Sequence, residues 1–232
     1  MKKDKILVIT VISALVMLSF AGITYALNDT LVQTFTENNT LFNSAKTDYK
    51  KLVTLSQTNK NRIEGARSVM NKALDTIDTY MAIYEDKNNS LVSKTIVLDD
   101  NTANMLLLRS RVEKAKTLDE LKKCLTDTKK EWEQVKADCK YIEARWKSDN
   151  LLDIYNKLIA LTDDVTSLKD LNTTLKSSKE TFNSEVYTPL TKSDSVIYNI
   201  SANQYADKLT NNITTLKEQK STIDKYISSL NE

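Results

Sequence analysis

The sequence contains no histidine, only two glycines, one proline and two cysteines among 232 residues. The missing histidine excludes Ser-His and Cys-His nucleophile systems, haem held by histidine, and the Glu-x-x-His di-metal sites of helix bundles. A zinc centre would need histidine or more thiolates than two cysteines supply. No Asp/Asn-rich loop shows the EF-hand spacing with its glycine, and no glycine-rich phosphate loop occurs. No metal, no cofactor and no catalytic residue is therefore expected, and the chain reads as non-enzymatic.

Clustered positive charge is also missing. Lys and Arg number 33 against 31 for Asp and Glu, and the two signs are interspersed. No internal basic block exceeds a pair such as Lys122-Lys123 or Lys129-Lys130. A nucleic-acid footprint needs basic residues gathered on one face, so no nucleic-acid partner is expected. The scarcity of Gly and Pro leaves room for few turns, which predicts long helices.

What is present fits that expectation. Thr117 to Trp146 repeats every seven residues, with Leu118, Leu125, Trp132, Cys139 and Trp146 as a row and Leu121, Thr128, Val135 and Ile142 as its companion. Charged residues fill most other places, the pattern of a helix packed lengthwise against others. Ahead of it, Phe42, Tyr49, Ser56, Ile63, Met70, Ile77 and Tyr84 form a row with Ala45, Leu52, Asn59, Ala66, Ala73 and Tyr80. This predicts one helix of about 45 residues, in which Gly65 costs roughly 1 kcal/mol and Ser56 and Asn59 fall on the seam.

Phase slips mark the expected boundaries. The first, at Thr117, coincides with the capping box Thr117-x-x-Glu120 and predicts a kink or a break. The second coincides with Ser148-Asp149-Asn150, a cluster of capping residues. Beyond it Leu151, Leu158, Val165 and Asn172 run beside Ile154, Leu161, Leu168, Leu175 and Phe182. Tyr187-Thr188-Pro189 is expected to end that helix, and Thr191-x-x-Asp194 to open the last, which carries Leu209, Leu216, Ile223 and Leu230.

The expected fold class is all-α. Rods over Phe42–Lys87, Asp99–Lys147, Asn150–Val186 and Thr191–Leu230, with a long connection between Glu85 and Leu98, suit an elongated antiparallel four-helix, coiled-coil-like bundle. A full break at Thr117 would make it five-helix. The bundle occupies 41–232 as a single domain, behind a polar, Asn- and Thr-rich stalk over 27–40.

The N-terminus reads as an export signal. Lys2, Lys3 and Lys5 outweigh Asp4, and Ile6 to Ala26 carries no charge. Residues 1–26 are a signal peptide, cleaved after Ala21 or Ala26, or an uncleaved anchor long enough to span a bilayer. Either form places the remaining chain outside the cytoplasm, secreted or held at the outer face of the cytoplasmic membrane. Membrane contact would run only through residues 6–26.

Cys124 and Cys139 are 15 residues apart, hence about 22 Å along one helix, too far to pair within it. Cys139 is read as core, and Cys124, flanking the seam, as the candidate for an intermolecular disulfide. Asn28, Asn38, Asn88, Asn199 and Asn212 are sequons open to glycosylation; Asn172 falls on the seam, where a glycan has no room. Trp132 and Trp146 at heptad spacing read as core. The pairs Asp99-Asp100 and Asp163-Asp164 read as cap and surface, and no Asp or Glu falls on a seam.

The runs Asn61-Arg62-Ile63, Leu106-Leu107-Leu108 and Lys116-Thr117-Leu118-Asp119-Glu120-Leu121-Lys122, followed by Trp132, resemble uncharacterised exported all-helical proteins of prokaryotes. There a T-L-x-E-L helix start follows an amphipathic pair in the same order. The resemblance covers Asn61 to Leu168 and implies export and a helical fold, with no activity attached. The Tyr-rich segment and proline that often follow the third helix in those proteins are replaced here by Cys139-Lys140-Tyr141. The functional expectation is a non-enzymatic structural or interaction module at the cell surface or envelope. It would engage a protein partner or self-associate through helix faces. A holdase-like envelope chaperone and a small-ligand-binding helical domain are the alternatives.

Overall fold

The computed structural model describes residues 29–55, 58–91 and 97–229. The expected export segment over 1–26 lies outside them, as do Asn28, Ser56, Thr95, Ile96 and Leu230. Among the described residues the chain is an all-α helical bundle with no strand. Its helices are α1 (Asp29–Thr54), α2 (Asn59–Asn89), α3 (Val97–Lys114), α4 (Leu118–Asp163), α5 (Lys169–Phe182), α6 (Thr188–Lys192) and α7 (Ser195–Ser229). A 3-10 turn over Thr166–Leu168 precedes α5, and a π turn over Asn183–Tyr187 joins α5 to α6. The chain divides into two compact units between Ile142 and Glu143, inside α4.

The first unit, Leu27–Ile142, is an up-down-up-down arrangement of α1, α2, α3 and the first part of α4. Phe35 stacks against Tyr80 while Gly65 lies against Leu52 and Tyr49, so α1 and α2 run antiparallel. Arg109 of α3 reaches Asp75 and Asp78 of α2, and Arg67 of α2 donates to the Ala115 carbonyl just past the end of α3 at 2.8 Å. Asn101 pairs with Asp138 and Arg111 with Asp127, which sets α4 antiparallel to α3. In the second unit, Tyr155 stacks on Phe182 and Asn172 bonds to Thr162, so α5 folds back along α4. Gln219 bonds to Ser178, and Tyr155 to Asn212, which returns α7 antiparallel to α5 and parallel to α4.

Several boundaries differ from the sequence expectation. The stalk expected over 27–40 is helical from Asp29. Its threonines return their hydroxyls to carbonyls four residues back, as Thr34 does to Thr30 and Thr40 to Thr36. Asn38 donates to Thr79 at 2.7 Å. Tertiary contact at Phe35 and Asn38 thus outweighs the weak helix propensity of Asn and Thr. The long helix expected over Phe42–Lys87 is interrupted between Thr54 and Asn59, where Thr58 caps α2 by accepting from the Asn61 N–H.

The break expected at Thr117 is present, and it is a reciprocal capping box. Thr117 Oγ1 accepts from Glu120 N at 3.2 Å, and Glu120 Oε2 accepts from Thr117 N at 3.1 Å and Lys116 N at 2.6 Å. These backbone N–H bonds hold the Glu120 carboxyl below its ordinary value. The break expected at Ser148–Asn150 is absent. Ser148 Oγ donates to the Ala144 carbonyl and Asn150 Nδ2 to the Trp146 carbonyl, so both side chains close back on the preceding turn instead of capping a new one. The helix ends instead at Asp163, where buried Asn172 donates to the Ile159 carbonyl and Thr162. Pro189 does not end its helix either. The π turn widens the backbone ahead of it, and Pro189 sits in the first turn of α6, where it needs no N–H partner. The chain turns at extended Ser193, and Asp194 alone caps α7 through the Ile197 N–H at 2.8 Å.

Gly65 has a packing role. A Cβ there would lie 2.7 Å from Leu52 Cδ1 and 3.3 Å from Tyr49 Cδ2, so α1 crosses α2 where α2 has no side chain. Gly65→Ile is expected to cost roughly 1–3 kcal/mol through overpacking, read as a lower thermal midpoint. Adding Leu52→Ala should recover part of that loss. An unchanged midpoint in Gly65→Ile would contradict the close crossing.

Candidate functional site: a lysine-rimmed apolar groove

The heptad rows explain which apolar residues stay accessible. In α4 the companion row is fully buried at Leu121, Thr128, Val135 and Ile142, whereas Leu118, Leu125, Trp132 and Trp146 are only half-buried. Phe42 and Tyr49 of α1 are likewise half-buried. Leu118, Leu125, Phe42 and Tyr49 therefore form walls in the first unit instead of a closed seam. Between them lies a groove of about 520 Å³, floored by Ala66, Val69 and Met70 of α2 and by Leu121. That volume falls in the range of small-molecule sites.

Its rim is of one sign. Lys46 and Lys50 stand on α1, Lys122 and Lys129 on α4, and no carboxylate lines the groove. Lys46 lies over the Phe42 ring at 5.0 Å, and Lys122 pairs with exposed Asp119 at 3.1 Å. Lys50 and Lys129 have no carboxylate partner among the described residues. Each lysine can lay its methylene stem along the apolar wall and keep its ammonium in water. One heptad beyond Phe42 and Leu125, Phe35, Tyr80 and Trp132 join α1, α2 and α4, with ring centroids 5.4 and 5.0 Å apart.

A second polar feature of this unit lies between α3 and α4. Asp138, 1% exposed, accepts from Asn101 Nδ2 at 2.7 Å and from Gln134 Nε2 at 2.8 Å. Glu131, two turns earlier, accepts from Asn104. Burial pushes the Glu131 carboxyl above its ordinary value; the Asn104 bond opposes this, and the Asp138 charge adds to it. This corrects the expectation that no acidic residue enters a seam. In a four-helix arrangement α4 meets neighbours on two sides, so the row Cys124, Glu131, Asp138 and Arg145 joins the two read from the heptad. The amides of Asn101 and Gln134 satisfy Asp138, so the cluster reads as a structural network.

The same third row relocates Cys124. At 2% exposure it is a buried thiol outside any disulfide, as is Cys139, and an intermolecular disulfide would require the helix to leave the core. The sequons are dispersed. Asn38 and Asn212 commit their amides to Thr79 and the Lys208 carbonyl, Asn88 is buried at 9% exposure, and Asn199 is exposed. Asp99 and Asp100 lie in the first turn of α3, and Asp163 pairs with Lys176 at 2.8 Å. No group of carboxylates or thiols among the described residues could hold a metal ion. No helix among them is long and apolar enough to cross a membrane.

The groove was not read from sequence, although Lys46, Lys50, Lys122 and Lys129, each close to a heptad position, were the available signal. In comparison with known proteins, the chain matches no family model, no curated protein and no solved structure.

Glu131 gives a pH test of the α3–α4 packing. A carboxyl raised in the folded state supports stability below its unfolded value, and that support is lost as pH rises through the folded value. Glu131→Gln keeps the acceptor for Asn104 and removes the loss. The variant should unfold a few tenths of a kcal/mol later than the parent at pH 7, screening discounted, and together with it near about pH 3. Equal stability at both pH values would show that Glu131 is not desolvated.

Proposed function

We propose that this chain is a non-enzymatic helical binding module, working outside the cytoplasm, whose binding site is the lysine-rimmed groove of the first unit. The observation that carries this reading is the groove's composition: half-buried apolar walls over an apolar floor, under a rim of positive charge. Open apolar surface framed by polar groups is the usual form of a binding site. Export is supported by the basic start and the uncharged run Ile6–Ala26, and by the resemblance to exported helical proteins.

The groove favours a small amphipathic ligand over a broad protein partner. Exposed large apolar side chains elsewhere in this unit, such as Leu41, Leu55, Leu106 and Leu107, lie outside its lining. A holdase surface would need such residues to be contiguous. The test is the anionic apolar fluorophore 1-anilinonaphthalene-8-sulfonate. Saturable binding of one probe per chain is expected, lost in the groove-filling variants Ala66→Phe and Val69→Phe while circular dichroism and cooperative unfolding stay native. Probe binding that survives both fillings would place the apolar site elsewhere and end this reading.

A further inference from the structure

We propose that the groove's occupant is a single long acyl chain ending in a carboxylate, that is, a free fatty acid; the inference rests on the groove being a binding site at all. The composition of the lining selects this chemistry. The lining is apolar apart from the lysines and the Tyr49 hydroxyl, and it contains no carboxylate, so a neutral tail and a negative head are both complemented.

At about 520 Å³ the groove lies in the range of small-molecule sites, and a polymethylene chain is thin enough to lie along it. The head is the smaller inference. Lysine ammoniums donate and cannot accept, which matches a carboxylate and leaves the hydroxyl of a glycerol head with only Tyr49 to donate to. Lys46 and Lys50 on one wall and Lys122 and Lys129 on the other put the head at the solvent edge, where its charge stays partly hydrated and needs no buried counter-charge.

The experiment is calorimetric titration of the folded protein with laurate below its micelle concentration, beside dodecanol, lauroyl-lysophosphatidylglycerol and an acidic amphipathic helical peptide. The expected result is one laurate per chain, at least about ten-fold tighter than dodecanol, and weakening as salt rises. Lys50→Ala and Lys129→Ala should each weaken laurate roughly three-fold without changing dodecanol. Val69→Phe should abolish both ligands with the fold intact by circular dichroism. Dodecanol binding as tightly as laurate overturns the carboxylate assignment, and a preference for the lysolipid or the peptide overturns the fatty acid as occupant; each leaves the groove as a site. Laurate binding that is indifferent to Val69→Phe overturns the acyl-chain proposal, and if the sulfonate probe is indifferent as well, the groove reading falls with it.

Discussion

The structure depends on α4 remaining one helix while the rows it buries change. Up to Ile142 its core row is Leu121, Thr128, Val135 and Ile142, packed in the first unit; after Glu143 it is Leu151, Ile154, Tyr155, Leu158 and Leu161, packed in the second. A chain that broke here would need caps for eight backbone groups. None is needed, because Ser148 and Asn150 bond back onto their own helix. No glycine or proline occurs between Leu118 and Asp163, and the i,i+4 pairs Lys147–Glu143 and Lys157–Asp153 lie along this stretch. The phase slip in the heptad is thus real, and it records a change of packing partners along an unbroken rod.

The groove follows from the packing of the first unit. α1 is fixed onto α2 by the Gly65 crossing and the Phe35–Tyr80 contact, and α4 is fixed to α2 at Tyr80–Trp132. Toward the start of α4, Leu118 and Leu125 keep part of their surface and face a lysine-bearing wall of α1. Leaving such residues uncovered forgoes burial worth roughly 25 cal/mol per Å². A ligand tail that covers them returns that stabilisation to the complex.

Parts of this were legible in the sequence and parts were not, for identifiable reasons. Thr117 and Glu120 were decisive because both halves of the capping box are local. The d-row leucines of α4, α5 and α7 are buried as their spacing demands, Leu121, Leu175 and Leu216 among them. By contrast, Thr58–Asn59 and Ser148–Asn150 offer similar capping chemistry and behave oppositely. In the first, α2 folds back on α1 and Thr58 caps the new helix; in the second, the same kind of side chain turns back to a carbonyl. Tertiary packing made that choice, and composition does not encode it. Asp138 and Cys124 were missed because a two-row heptad describes a helix with one neighbour, whereas α4 has neighbours on two sides. The groove escaped notice because whether Leu125 is core or wall depends on how far α1 stands from it.

The most direct test of this account is amide hydrogen exchange along α4, resolved to single residues between Glu143 and Ile154. An unbroken helix predicts that the amides of Asp149, Asn150 and Leu151 are protected to the same degree as those of Tyr141 and Ile142. Exchange of Asp149–Leu151 at the rate of an open loop, against protected neighbours on both sides, would mean that Ser148–Asn150 caps a new helix. The shared helix, and the division of the core built on it, would then be wrong.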